Sequence, residues 1–324
     1  MGIILLTSLL PSAGAVPLTA LVYAPDGSAL VSNGDRRLDV RSPHDAQVVR
    51  HVPCDLAKIT AAAFTPRGQI LAVAGGDPGV KGEIRLLSWP TLRELHRLPQ
   101  GNDLVYCLTF NASGTQLGVG SGDHAGRVWD LDDKGMPGQS RVLTGHAGPV
   151  LGISFGPNGT TVVTASADRS LKVWNPASGE ILRSFSHHTE GLQTVVFRPA
   201  VDPAAPGVCA SGGEDRTVRI WQPEIGRMVR IIRQHAGSIQ ALAWSRDGGS
   251  LFSAGREGII RRIDGASDAI LSEWKASDHW IYCLALSPDG RVLASGDWAG
   301  QVRLHPLSKN DSAPVPGPSN VPPP

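Results

Sequence analysis

The stretch from Val142 to Asn175 reads VLTGHAGPVLGISFGPNGTTVVTASADRSLKVWN. It contains a Gly-His pair, the alternating run VLGISF, a Pro-Asn-Gly turn, the run TVVTAS, an Asp-Arg turn and a last run that ends at Trp174. Period-two alternation in short runs bounded by Gly, Pro, Asn and Asp predicts β-strands that are joined by tight turns. The stretch therefore predicts a small antiparallel sheet.

Shifted copies of this pattern fill nearly the whole chain. In each copy, an apolar residue ends a strand-like run and a polar or Pro/Gly turn follows. The seven residues that end these runs are Tyr23, Phe64, Phe110, Phe155, Phe197, Trp244 and Leu286. Their spacing of about 41 to 47 residues is typical of four-stranded propeller repeats. A sheet of this size cannot bury both of its apolar faces alone, whereas stacking copies around an axis covers them.

With these repeats the chain resembles the WD-repeat β-propeller family over roughly residues 16–306. The motif residues are clearest in repeat four, with His146, Thr164, Ser166, Asp168 and Trp174, and in repeat five, with His188, Ser211, Asp215 and Trp221. Repeat three keeps Ser121, Asp123 and Trp129 but lacks the His. The resemblance implies that such residues form a buried hydrogen-bonded chain within each blade. It also implies a fold that is all-β, a seven-bladed β-propeller of four-stranded antiparallel blades.

The two ends of the chain are less regular than its middle. We expect residues 1–306 to form one propeller and residues 307–324, which are rich in proline, to be a disordered tail. Residues 1–15 admit two interpretations. One is a secretory signal that is cleaved after Ala13-Gly14-Ala15. The other, favoured by the strand count, is the outer strand of the last blade, which closes the ring as in many propellers of this family.

Composition excludes several classes of partner. The formal net charge is +1 with no block of like charge, so neither nucleic acid nor an anionic membrane surface is expected as a partner. The N-terminal apolar run is too short to span a membrane. The four cysteines show no ligand spacing, so we expect no metal and no cofactor. Arg outnumbers Lys roughly four to one, which favours a bacterial source. A cytoplasmic location is slightly favoured over export.

One catalytic pattern and one possible metal-binding pair are present, but both fit the repeat better than an active site. Residues 152–156 (GISFG) match the nucleophile elbow of α/β hydrolases, which requires a strand, a sharp turn and a helix. Here Ser154 lies inside a predicted strand.

The adjacent residues His187 and His188 could suggest a metal-binding pair. On an extended chain they would point to opposite faces, and His188 already belongs to the repeat pattern.

What remains is a binding surface on the loops. Six residues are candidates for contact with a partner: Trp298, Trp280, His124, Arg169, Arg216 and Arg256. We expect His124 and Trp298 to occupy matching positions, because GDHAG and GDWAG are alike. The sequence thus predicts a non-catalytic, monomeric scaffold that binds protein partners of unknown identity. The alternatives are an exported bacterial envelope propeller and, less favoured, a propeller hydrolase.

Overall fold

A computed structural model describes residues 15–200 and 206–307 of the chain. These residues form 27 β-strands arranged in seven antiparallel sheets. The predicted fold, an all-β propeller of seven blades, is confirmed. The described residues contain no helix that is long and apolar enough to cross a membrane.

Each blade is a meander whose strands pair in chain order. Blade 1 comprises β1 (Leu21–Tyr23), β2 (Leu30–Gly34), β3 (Arg37–Arg41) and β4 (Val48–Pro53). Blade 2 comprises β5 (Lys58–Phe64), β6 (Ile70–Asp77), β7 (Lys81–Ser88) and β8 (Glu94–Pro99). Blade 3 comprises β9 (Val105–Phe110), β10 (Gln116–Ser121), β11 (Gly126–Leu131) and β12 (Pro137–Leu143). Blade 4 comprises β13 (Val150–Phe155), β14 (Val162–Ser166), β15 (Leu171–Trp174) and β16 (Ile181–Phe185).

The last three blades continue the same pattern. Blade 5 comprises β17 (Leu192–Phe197), β18 (Cys209–Gly213), β19 (Val218–Gln222) and β20 (Arg227–Ile232). Blade 6 comprises β21 (Ile239–Trp244), β22 (Ser250–Gly255), β23 (Ile259–Asp264) and β24 (Ile270–Lys275). Blade 7 comprises β25 (Ile281–Leu286), β26 (Val292–Asp297) and β27 (Val302–Pro306).

The ring closes where blade 7 meets blade 1. The first strands of successive blades pack on one another in order, and β25 packs against β1. At this junction the Leu18 N–H donates to the Asp297 carbonyl at 3.1 Å, and the Cys283 thiol donates to the Leu18 carbonyl at 3.2 Å. Residues 1–14, which carry the predicted closing strand or signal, lie outside the described residues, as does the predicted tail from residue 308 onwards.

In blade 4 the predicted network residues are hydrogen-bonded to one another. His146 Nδ1 lies 2.9 Å from Asp168 Oδ2, and its Nε2 lies 2.7 Å from Thr164 Oγ1. The Trp174 indole N–H donates to the same Thr164 oxygen at 2.7 Å. The Ser166 hydroxyl donates to the Gly148 carbonyl at 3.0 Å, 18 residues earlier. The Thr164 hydroxyl therefore links the buried indole to the buried imidazole. No buried side-chain polar atom of these five network residues lacks a partner.

Blade 5 repeats this arrangement with serine in place of threonine. His188 lies 2.7 Å from Asp215 and 2.7 Å from the Ser211 hydroxyl, to which the Trp221 indole donates at 2.8 Å. The Arg219 guanidinium also reaches Asp215, at 3.2 Å. This additional ion pair neutralises the negative charge of the Asp215 carboxylate.

Blade 3 has the tryptophan of the network without its acceptor. The strand register places Val119 at the position of Thr164, because each pairs with the residue that lies two before the Trp. Within the described residues, the buried indole N–H of Trp129 has no hydrogen-bond partner, and neither does the side-chain amide of buried Gln100, which precedes β9. The Ser121 hydroxyl donates to the Leu104 carbonyl at 3.3 Å, 17 residues earlier, and Asp123 pairs with Arg127 at 2.5 Å.

Blades 6 and 7 vary the network further. In blade 6, His235 lies 2.8 Å from the Ser253 hydroxyl, although Ile263 occupies the Trp position. In blade 7, His305 occupies the Trp position and lies 2.9 Å from the Ser295 hydroxyl. Its other ring nitrogen accepts the indole N–H of Trp274, at 3.2 Å, from the outer strand of blade 6. This hydrogen bond joins two blades rather than two strands of one blade.

Removal of a network tryptophan should destabilise the protein strongly. We expect Trp174→Ala to lower the free energy of unfolding by about 3–5 kcal/mol, because it removes a fully buried ring and a hydrogen-bond donor. Trp221→Ala should behave alike, whereas Trp298→Ala should cost less than about 1 kcal/mol, since that ring is 36% exposed. Urea unfolding measures all three. A loss below about 1 kcal/mol for Trp174→Ala would contradict its structural role.

A reciprocal exchange tests the role of the shared hydroxyl. Thr164→Val should lower the free energy of unfolding by about 2–4 kcal/mol, because it leaves the Trp174 indole and His146 without their common partner. Val119→Thr should be neutral or stabilise by about 1 kcal/mol, because it offers an acceptor to Trp129. Urea unfolding of both variants provides the measurement. Equal destabilisation by the two exchanges would show that side-chain shape, not hydrogen bonding, matters at this position.

Mild acid should destabilise the propeller through its buried histidines. Burial lowers the pKa of His235 and of His305 to about 4, from an ordinary value near 6.5. Each contribution to stability is complete above pH 6.5 and is lost as the pH falls from about 6.5 to 4. Between pH 7 and 5 we expect each histidine to account for about 2 kcal/mol of lost unfolding free energy.

The double variant His235→Gln, His305→Gln provides the control for this prediction, because glutamine does not titrate. Its unfolding free energy should depend less on pH between 7 and 5 than that of the unaltered chain. The partly buried carboxylate of Asp168 contributes to the pH dependence only at a lower pH. Desolvation raises its pKa, but hydrogen bonds, with that from Ser170 foremost, hold it at about 2. An unchanged pH dependence in the double variant would contradict the prediction.

Candidate functional site at the channel mouth

A β-bulge in the first strand of six blades directs one side chain of each into the central channel. In six blades one residue of this strand is left out of the pairing with the second strand: Thr60, Tyr106, Leu151, Gln193, Gln240 and Tyr282. Thr19 holds the same position just before β1. Bulges commonly re-aim a side chain at the rim of a barrel or near a binding site.

These seven residues line one cavity of about 600 Å³. Its wall is completed by Leu104, Pro149, Ala167 and Thr194. Leu104 and Pro149 belong to loops that enter a blade, and Ala167 belongs to the turn between the second and third strands of blade 4. The cavity therefore opens at the end of the channel where these loops and turns lie, which we call the channel mouth.

Blade 7 makes the channel mouth aromatic on one side. Trp280 precedes β25, Tyr282 is the bulge residue, and Trp298 lies in the turn after β26. The ring centroids are 6.3 Å apart between Trp280 and Trp298, 6.3 Å between Trp280 and Tyr282, and 5.9 Å between Tyr282 and Trp298. Trp280 is 38% exposed and Trp298 is 36% exposed. We call Trp280, Tyr282 and Trp298 the aromatic cluster.

Arg256 of blade 6 borders the aromatic cluster. Its guanidinium carbon lies 4.4 Å from the ring centroid of Trp280, within the range of a cation–π contact. Its nearest carboxylate is that of Glu214 in blade 5, at 3.8 Å. Three of the six predicted surface residues, Trp280, Trp298 and Arg256, are thus brought together.

The other three predicted residues lie on the turns of blades 3 to 5. His124, Arg169 and Arg216 are exposed and have positive φ angles of 68°, 70° and 60°. Their register positions are equivalent, since each follows the Thr164 position of its blade by five residues. Trp298 does not share this position, and the expected match between His124 and Trp298 was wrong. Trp298 instead corresponds to Ala167 and Arg256, since each of the three follows the Thr164 position of its blade by three residues. The Asp of GDWAG therefore lies two residues earlier in its hairpin than the Asp of GDHAG.

The catalytic pattern and the histidine pair both fall on structural positions. Ser154 lies within β13, and its hydroxyl accepts the backbone N–H of Phe197 at 3.0 Å. His188 belongs to the network of blade 5, and the ring of His187 packs on Trp221 with centroids 5.5 Å apart. Across residues 15–200 and 206–307, no group of three or more His, Cys, Asp or Glu side chains could hold a metal ion.

The sequence profile described as WD domain, G-beta repeat matches five segments of the chain, at residues 92–130, 138–175, 179–222, 226–264 and 270–305. Together these segments make up more than half of the sequence. The chain belongs to the WD40 repeat family. The matches extend from the outer strand of blade 2 to blade 7 and include blades 4 and 5, where the motif residues are clearest.

Individual relatives of this WD40 protein are distant. THO complex subunit 3 of Arabidopsis thaliana is 25% identical over 206 residues, which span 63% of this chain and 63% of that protein. An uncharacterized WD repeat-containing protein of Synechocystis is 32% identical over 146 residues, 44% of this chain and 38% of that protein. The mouse F-box-like/WD repeat-containing protein TBL1X is 26% identical over 144 residues, 41% of this chain and 26% of that protein.

In each of these alignments the matched part spans less than two thirds of the relative's own length. Two of the relatives are eukaryotic and one is cyanobacterial. The bacterial source that composition favours therefore stays a prediction.

Sequence reasoning missed Tyr282 as a member of the channel mouth. The alternation in IYCLAL marks a strand, but the bulge that turns Tyr282 towards the channel depends on pairing with β26. The available signal was the equivalence of IYCLAL and VYCLTF, which places Tyr106 and Tyr282 at the same position of two blades.

Proposed function

We propose that this chain is a non-catalytic WD-repeat scaffold that binds protein partners at its channel mouth. One observation carries the proposal: three aromatic rings in mutual contact are partly exposed at the opening of a cavity that all seven blades line. Tryptophan and tyrosine are enriched at the centres of protein interfaces, where they supply large contact areas at a low entropic cost.

The similar proteins support a role in assemblies. The name of THO complex subunit 3 describes a component of a complex, and the chain is 25% identical to it over 206 residues. A propeller suits such a role because its blades bury one another, which leaves the loops free to vary. We propose that the chain acts as a single propeller and that its surface residues, including His124, Arg169 and Arg216, contribute to contact at the same end.

Substitution of one exposed tryptophan tests the proposal. We expect Trp298→Ala to reduce recovery of the native partners at least tenfold in affinity purification, because it removes a ring from the aromatic cluster. Each partner recovered is then purified, and its dissociation constant for both forms of the chain is measured by calorimetry.

Val49→Ala is the matched control, because Val49 is 67% exposed on the outer strand of blade 1, far from the channel. It should leave recovery and affinity unchanged. Both variants should unfold within about 2 °C of the unaltered chain, since neither side chain is buried. Unchanged affinity in Trp298→Ala would remove the aromatic cluster from the binding surface.

A further inference from the structure

The wall of the channel cavity carries no formal charge at the six bulge positions or at Thr19. The six bulge positions are held by Thr60, Tyr106, Leu151, Gln193, Gln240 and Tyr282. Burial raises the pKa of Tyr106 and of Tyr282, so both hydroxyls stay protonated at neutral pH. A charged group that entered this cavity would lose hydration and meet no opposite charge on these residues.

The aromatic cluster is a continuous face and not an open cage. Its three ring centroids lie between 5.9 and 6.3 Å apart, which is the spacing of rings that pack directly on one another. The equivalent positions of blade 4 hold Pro149, Leu151 and Ala167, which are smaller and aliphatic. The mouth therefore offers one broad apolar platform, on the side of blade 7.

The charges beside this platform disfavour an ion of either sign. The guanidinium of Arg256 already lies over the ring of Trp280, so a second cation there would meet repulsion at short range. The carboxylate of Glu214 stands 3.8 Å from Arg256 and would repel an anion. Because Arg256 and Glu214 pair with each other, neither charge is free to neutralise a charged ligand on the platform.

The amide side chains of Gln193 in blade 5 and Gln240 in blade 6, on the side of the cavity next to blade 7, offer acceptors. Gln193 donates from Nε2 to Glu214 at 3.2 Å, and Gln240 donates from Nε2 to Ser238 at 3.0 Å. Both amides are thereby oriented, and neither Oε1 accepts a hydrogen bond from the described residues. Backbone N–H groups of an extended peptide are the donors that suit such oxygens.

From these observations we propose that the channel mouth binds an uncharged, extended segment of a partner protein, which places an aromatic side chain against Trp298 and Tyr282. The inference rests on the proposed function and names the chemistry of the partner at that site. A cavity of about 600 Å³ lies within the usual range for ligand sites and admits a few side chains.

Three blocked pentapeptides test this inference on the full 324-residue chain. They place tryptophan, lysine or glutamate between two Gly-Ser pairs and are otherwise identical. Binding is followed by NMR through the indole N–H signals of Trp280 and Trp298 in ¹⁵N-labelled protein. We expect the tryptophan peptide to produce saturable shifts and to bind at least fivefold more tightly than either charged peptide.

An isosteric charge change on the wall sharpens the test. Gln240→Glu adds a negative charge to the cavity with little change of shape, so it should weaken the tryptophan peptide and strengthen the lysine peptide. Trp298→Ala should weaken the tryptophan peptide at least tenfold, as read from the Trp280 signal. Val49→Ala, remote from the channel, should leave all three peptides unchanged.

The outcomes separate this inference from the proposed function. Tighter binding of the lysine or glutamate peptide to the unaltered chain overturns the inference, and so does an absence of saturable shifts at millimolar peptide. If Trp298→Ala nevertheless lowers the affinity of a native partner, the proposed function stands and only the partner chemistry is wrong. If Trp298→Ala changes neither, both fail.

Discussion

The structure depends on the packing of neighbouring blades, whose first strands contact one another and whose outer strands reach the third strand of the next blade. Phe185 on the outer strand of blade 4 packs on Trp221 of blade 5, with ring centroids 5.1 Å apart. Trp274 of blade 6 meets His305 of blade 7 in the same way, at 5.8 Å. A sheet of four short strands cannot bury both of its faces alone, so the stability of each blade belongs to a pair of blades.

The blades differ in the polar side chains at their centres and in whether those side chains have hydrogen-bond partners. Blade 4 is polar and fully paired, because Thr164 serves both Trp174 and a histidine. Blade 2 is apolar at the two equivalent positions, which hold Val73 and Leu87. Blade 3 combines the tryptophan of one type with the valine of the other, and its indole is left without an acceptor. A buried polar group favours folding only when its whole set of partners is present.

The fold could be predicted from the sequence because its signals are local. Alternation within each run and Gly, Pro, Asn and Asp in the turns mark the strands without knowledge of their neighbours. The positions that sequence reasoning misplaced depend on register. GDHAG and GDWAG look equivalent, yet Asp123 and Asp297 stand two residues apart relative to the strand pairing, which separates His124 from Trp298.

The candidate site was harder to predict because it is assembled from different blades. The sequence singled out Trp280 and Trp298 as large apolar residues near turns, and both are partly exposed. Their contact with Tyr282 and the position of Arg256 over the Trp280 ring depend on the curvature of the ring and on a bulge. Neither leaves a trace in the spacing of residues along one repeat.

The bulge in the first strand also bears on how such a molecule can change over evolution. A bulge residue such as Leu151 takes no part in the ladder between the first two strands, so its replacement breaks no backbone hydrogen bond there. Six such positions and Thr19 surround one opening, and each belongs to a different repeat of the sequence. Mutation can therefore change what the opening recognises, one position at a time, while the strand pairing of each repeat stays intact.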